Sequence, residues 1–259
     1  MLTIDRGSGT PLVLLHGFGV DHRILLPLDP VLEAAGGWRR IYLDLPGATG
    51  TPIGDVASSD DVVRTVEEHV RGLLGDEPFA LLGNSWGGMI ARRVAHDLRE
   101  QVLGLATLAG VFVPEHDLRD LDPRTVVRQD EAAREVAGAA VEAYLDTAVV
   151  ESPGNARAFL EHVLPGLEGA DQAALERISE CYPLAEPPET SEGPFMQPTL
   201  LLTARQDSYV GHRDAHAALE HYPRATFATL DSAGHNVHLD QPALTAALLT
   251  DWLARIRAA

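Results

Sequence analysis

The sequence contains no lysine: all 20 of its basic residues are arginine. That absence removes Schiff-base chemistry on pyridoxal phosphate, the P-loop lysine and a Ser-Lys dyad from consideration. Cysteine is nearly absent too. The single Cys181 cannot form an internal disulfide, in keeping with a reducing compartment, and "SECYP" gives it no activating neighbour. Positive charge is scarce, with 38 acidic residues against those 20 arginines and a net charge of −18. This balance argues against nucleic acid or an anionic membrane as a partner. No apolar run approaches the roughly 18 residues needed to cross a bilayer. The opening stretch, "MLTIDRGSGTPLVLLHG", places acid, base and glycines before its only apolar run. It does not read as a secretory signal, so a cytoplasmic protein is expected. Nothing in the sequence indicates an oligomeric state.

What is present is a globular core. Apolar residues make up 45% of the 259 positions, enough for one large α/β domain or a domain with an insertion. Short apolar runs at 11–17, 40–47, 79–85 and 102–110 read as buried strands. Between them, 59–74 and 86–98 carry apolar residues at helical spacing. Strands alternating with helices predict a mostly parallel sheet with helices on both faces. The alternation resumes with a strand at 198–207, a helix near 212–220, a strand at 225–235 and a terminal helix near 242–257.

Residues 115–195 interrupt this pattern. They contain no convincing strand, helical periodicity at 131–149, 154–164 and 170–181, and the proline-rich exit "PLAEPPETSEGP". The expected organisation is a core of residues 1–114 and 196–259 with a helical cap at 115–195. With 18 acidic and six basic residues, the insertion carries −12 of the total charge. If it roofs a pocket, its field disfavours anionic substrates.

"FALLGNSWGGMIARRVA" poses the chemical question. A strand candidate ends at Gly83-x-Ser85-x-Gly87, and helical periodicity starts at once. A sharp strand-to-helix corner pushes its central residue towards unfavourable dihedrals, and glycines on either side relieve the crowding. Ser85 would then stand at the carboxyl end of the sheet, where α/β proteins bind ligands. The Trp86 N–H, at the helix start, faces the same point and favours negative charge. A serine hydroxyl needs a base, and the base needs an orienting acid. Asp207 follows "TLLLTA" by two residues, and His235 lies just past the next strand in "DSAGHNVHLDQP". The pieces stand in the order Ser, Asp, His.

"LLHGFG", "LDLPGATGTP", "GNSWGG", "RQDSYVG" and "SAGHNVHLDQP" together resemble the α/β-hydrolase fold superfamily, in its cap-bearing branch of serine hydrolases. They run in family order over nearly the whole chain, and only the cap lacks a recognisable motif. The resemblance implies Ser85 as nucleophile, His235 as base and then acid, and Asp207 as its orienter. It also implies an oxyanion hole made by the backbone N–H groups of Phe18 and Trp86, worth roughly 3 kcal/mol per donor. No cofactor or metal is implied, and the partner would be a small-molecule substrate.

Other residues compete for these roles. Glu115 is the alternative acid, and His238 the alternative base without a glycine-bearing loop. His16 reads as scaffold, and Asp44 and Gly47 as turn residues. His212 and His216, four apart, lack the glutamate of HExxH and a third ligand. "HGFGVDH" lacks the third glycine of a dinucleotide fingerprint. Serine at 85 argues against dehalogenases and epoxide hydrolases, whose covalent ester needs a carboxylate. "HGFGV" differs from the HGGPG of proline iminopeptidases, and Asn236 stands where ring-cleavage carbon–carbon hydrolases carry Trp. The expected function is hydrolysis of a small, largely apolar ester or related acyl compound. The alternatives are a carbon–carbon or amide hydrolase or cofactor-free lyase with the same triad, and a non-catalytic small-molecule-binding protein.

Overall fold

Seven strands form one sheet: β1 (Leu2–Gly7), β2 (Thr10–Leu15), β3 (Trp38–Asp44), β4 (Phe79–Asn84), β5 (Val102–Leu108), β6 (Thr199–Ala204) and β7 (Ala225–Leu230). Their spatial order is β1-β3-β2-β4-β5-β6-β7. β1 runs antiparallel to β3, and every other neighbouring pair is parallel. The computed structural model describes residues 1–190 and 193–259. Ser191 and Glu192, in the proline-rich exit, lie outside the described residues.

Three α-helices precede β5 among the described residues: α1 (Asp29–Ala34), α2 (Ser59–Leu74) and α3 (Trp86–Asp97). Five lie between β5 and β6: α4 (Glu131–Ala137), α5 (Val141–Thr147), α6 (Pro153–His162), α7 (Leu164–Gly169) and α8 (Gln172–Ser179). The last three are α9 (Arg213–Ala217), α10 (Val237–Asp240) and α11 (Pro242–Arg257). Apolar spacing and local chemistry agree in α2. Val62, Val63, Val66, Val70 and Leu74 are buried, the Ser58 hydroxyl caps the Asp61 N–H, and Gly75 ends the helix at φ +59°. β1 carries Asp5 and Arg6 on an exposed edge, so it has no apolar run to betray it. The 131–149 pattern is two helices, because the chain turns at Gly138 with φ +55°.

Strands β2 and β4 lie at the sheet's centre, with Leu12, Val13, Leu14, Leu15, Leu81 and Leu82 wholly excluded from solvent. Each such burial stabilises by roughly 1.5–3 kcal/mol, which makes the middle of the sheet a rigid platform. β3 extends to one side of β2 and β4 to the other. The order reverses between β2 and β4, and a crevice opens at their carboxyl ends. The segments after β2, β4, β6 and β7 all leave this same edge. The insertion between β5 and β6 leaves at this carboxyl edge and, because the two strands are parallel, returns to the sheet at the opposite edge. Apart from an isolated bridge between Arg128 and Val150 its described part contains no extended pairing.

Candidate active site

Ser85 occupies the corner between β4 and α3 at φ 52°, ψ −119°. A non-glycine residue there costs about 1–3 kcal/mol and must be over-determined by its surroundings. It is: the Ser85 N–H donates to the Leu108 carbonyl (3.0 Å), and the Ser85 carbonyl accepts from the N–H groups of Gly88 (2.9 Å) and Val111 (3.0 Å). The flanking glycines are required by packing. A Cβ on Gly83 would stand 2.2 Å from the Gly87 carbonyl oxygen, and one on Gly87 would stand 2.3 Å from that of His16.

Asp207 follows β6 with its side chain fully buried. One carboxylate oxygen accepts the N–H groups of Tyr209 (2.8 Å) and Val210 (3.1 Å), which fixes the group's orientation. The other lies 3.0 Å from His235 Nδ1, and His235 Nε2 lies 2.9 Å from Ser85 Oγ. An ionised carboxylate only accepts, so the imidazole proton belongs on Nδ1 and Nε2 is free to take one from the serine. The Tyr209 ring covers the imidazole, with centroids 5.1 Å apart and planes 33° apart.

The turn after β2 completes the crevice. The Leu45 N–H donates to His16 Nε2 (2.9 Å), so the proton on Nδ1 donates to the Gly17 carbonyl (2.8 Å). Burial lowers the His16 pKa and keeps the ring neutral, as this pair of bonds requires. Gly17 packs so closely that a Cβ there would be 3.1 Å from that of Ser85. Phe18 comes next and meets the Trp86 ring edge-on at 5.2 Å. Trp86 begins α3, where the helix supplies no acceptor for its N–H.

A cavity of about 360 Å³ opens beside Ser85 and His235. Val20, Ile24 and Val111 of the core line it, with Phe159, Val163 and Leu167 of the insertion. Arg119, Asp146, Thr147, Tyr182, Tyr209 and Asn236 supply polar edges. Ser85 and His235 thus face an apolar chamber walled partly by the segment between β5 and β6, with Asp207 buried behind them. A model of the alpha/beta hydrolase fold matches residues 10–242. The chain belongs to the α/β-hydrolase family.

This α/β-hydrolase is 26% identical to a pimeloyl-[acyl-carrier protein] methyl ester esterase of Shewanella woodyi, over 95% of each chain. It is 28% identical to a 2-succinyl-6-hydroxy-2,4-cyclohexadiene-1-carboxylate synthase of Klebsiella pneumoniae, over 97% of each. Among solved structures it resembles an alpha/beta superfamily hydrolase from Oenococcus oeni PSU-1. That match has a TM-score of 0.89 at 23% identity, covering 98% of this chain and 96% of the other. No helix among the described residues is long and apolar enough to cross a membrane.

The competing residues lie elsewhere in the α/β-hydrolase. Glu115 is exposed and outside the cavity lining. His238 is buried with Nε2 on the Ile24 carbonyl (2.7 Å), and burial lowers its pKa to about 4. His212 contacts Arg205 and Asp122, whereas His216 packs its ring on Phe227. Asp21, His22 and Asp44 bring ligand-capable atoms within 4.8 Å of one another. They are already engaged: Asp21 by Arg23, and Asp44 by the backbone N–H and ring of His22. The sequence gives no site role to Tyr209, Asn236 or Asp146. The first two stand inside "RQDSYVG" and "SAGHNVHLDQP", so proximity to Asp207 and His235 was the available signal.

Proposed function

We propose that this α/β-hydrolase is a serine hydrolase of small, largely apolar esters, acting through an acyl-enzyme, with residues 115–195 as its cap. The observation that carries the reading is the unbroken chain from Asp207 through His235 to Ser85, at 3.0 and 2.9 Å, on a strained corner facing an apolar cavity. Ser85 Oγ attacks the ester carbonyl while its proton passes to His235 Nε2, and Asp207 stabilises the resulting imidazolium. The carbonyl oxygen becomes negative and is met by the N–H groups of Phe18 and Trp86, preorganised by the His16–Gly17 bond and the α3 N-terminus. Collapse expels the alcohol, which takes its proton from His235. Water then attacks the acyl-enzyme with the same imidazole as base, and Ser85 is regenerated.

Charge narrows the substrate. Five of the insertion's six arginines are committed within the chain: Arg119 to the carbonyls of Val113, Pro114 and Tyr209; Arg124 to those of Leu145 and Ala148; Arg128 to Asp130; Arg134 to Glu151; and Arg177 to the carbonyls of Gly54 and Val56. They answer few of the 18 carboxylates around them. A free, uncharged ester therefore suits this site better than a polyanionic substrate or carrier. The Shewanella woodyi relative, by its name, acts on a methyl ester held on a carrier protein. The shared reaction is ester hydrolysis, and the difference lies in what surrounds the acyl chain.

The test is labelling by a fluorophosphonate with parallel hydrolysis of p-nitrophenyl acetate and butyrate. The reading expects label on Ser85, turnover of both esters, and loss of both signals in Ser85→Ala. Turnover retained by Ser85→Ala would refute the serine mechanism.

A further inference from the structure

Four contacts join the cap to the segments that carry Asp207 and His235. The Tyr209 hydroxyl donates to the Asp146 carboxylate near the end of α5. Asn236 Nδ2 donates to Thr147 Oγ1 at 3.3 Å. Gly234 lies so close beneath the cap that a Cβ would meet Val149 Cγ1 at 2.9 Å and the Thr147 carbonyl oxygen at 3.2 Å. Asp240 bridges the seam, accepting the Gly234 N–H (2.8 Å) on one oxygen and Asn155 Nδ2 of α6 (2.6 Å) on the other. Three fall on residues directly beside His235 or on the ring that covers it, and the fourth reaches Gly234 through Asp240.

We propose that the cap completes the catalytic base: Asp146 and Thr147, acting through Tyr209 and Asn236, are positioning residues that hold the His235 imidazole in line between Asp207 and Ser85. The imidazole has two hydrogen-bond partners, which fix the direction of its nitrogens but leave it free to swing about the line joining them. Tyr209 blocks that swing from one face. A tyrosine ring next to an open cavity would itself rotate, and Asp146 anchors its far end. The Asn236–Thr147 bond does the same for the backbone immediately after His235. Asp146, Thr147, Tyr209, His235 and Asn236 all line the cavity, so an acyl group that fills it presses on this clasp directly.

The proposal rests on the serine-hydrolase reading, and its test separates the two. Tyr209→Phe keeps the ring and loses the anchor, Asp146→Ala removes the anchor's acceptor, and Asp146→Asn retains an oxygen that can accept the hydroxyl. Three quantities are read: kcat and KM on p-nitrophenyl butyrate, and the downfield proton resonance of His235 Nδ1–H. Tyr209→Phe and Asp146→Ala are expected to lower kcat by about tenfold to a hundredfold, the range for a misplaced catalytic group, with KM within about twofold. The Nδ1–H resonance should broaden or shift in both, and Asp146→Asn should restore kcat and the resonance. A change confined to KM, or a resonance identical to wild type in Tyr209→Phe and Asp146→Ala, would overturn the proposal. If the wild-type protein neither hydrolyses esters nor labels at Ser85, the hydrolase reading fails; the resonance then still decides whether the cap positions His235.

Discussion

Asp240 accepts the backbone N–H of Gly234 at 2.8 Å, one residue before His235. Its other oxygen takes Asn155 of α6, and the residue is half-buried. Burial, helped by the charge on Asp207, pushes its pKa up to about 6 against the opposition of both hydrogen bonds. The folded state therefore binds the proton more tightly than the unfolded chain, and this group's contribution to stability falls as pH rises from about 4 to about 6. Asp240→Asn removes the ionisation while keeping one acceptor oxygen. Its melting temperature relative to wild type should thus be less favourable at pH 4.5 than at pH 7.5. The difference corresponds to at most roughly 3 kcal/mol. Equal offsets at both pH values, measured by scanning calorimetry, would show that Asp240 is not the buried titrating group.

The corner at Ser85 predicts an inverted substitution order. Glycine ordinarily destabilises a protein relative to alanine by about 0.5–1 kcal/mol through its freedom in the unfolded chain. At φ 52° the L side chain carries the strain instead. Ser85→Gly should therefore melt at least as high as Ser85→Ala. Both variants should lose ester hydrolysis by about four decades in kcat. Chemical denaturation of the pair decides it: an alanine variant clearly more stable than the glycine variant would mean the corner is unstrained.

Much of this was legible in the sequence, for identifiable reasons. The α2 stretch is readable because its valines recur at helical spacing between a serine cap and a terminating glycine. Gly83 and Gly87, which mark the corner at Ser85, are legible because only glycine fits where carbonyl oxygens approach so closely. β1 escapes because an exposed edge strand needs no apolar run. The clasp on His235 escapes for a different reason. Tyr209 and Asp146 are 63 positions apart in sequence, and no periodicity or motif brings an acid-loop tyrosine to the end of a cap helix. Residues between β5 and β6 meet the core through long-range contacts that leave no local pattern in the sequence.

The role of His235 sets how activity should respond to acid. Only a neutral imidazole can accept the Ser85 proton, so kcat/KM should decline on acidification, because a protonated base cannot act. The neutral His16 ring, held by the Leu45 N–H and the Gly17 carbonyl, is a separate sensitivity. His16→Ala should lower kcat by misplacing Phe18 while leaving the acid limb where it was. A wild-type kcat/KM that stays flat on acidification until the protein unfolds would contradict His235 as the base.

The cavity wall should set acyl-chain preference. Phe159 comes from α6, lies almost wholly out of solvent and reaches the chamber while its ring meets Tyr144 edge-on at 5.7 Å. Phe159 is one of the apolar side chains bounding the chamber beside Ser85, so its size bears on the room left for an acyl chain. Phe159→Leu removes part of that ring and keeps an apolar side chain, a swap the core can absorb for about 1–2 kcal/mol. One extra methylene in an apolar pocket is worth about 1–3 kcal/mol of discrimination. The ratio of kcat/KM for p-nitrophenyl hexanoate over acetate should therefore rise by about tenfold or more in the variant. Most of the change should come from the longer ester, whose chain needs more of the chamber. Equal losses on both esters would mean that Phe159 supports the fold of the cap without bounding the acyl site.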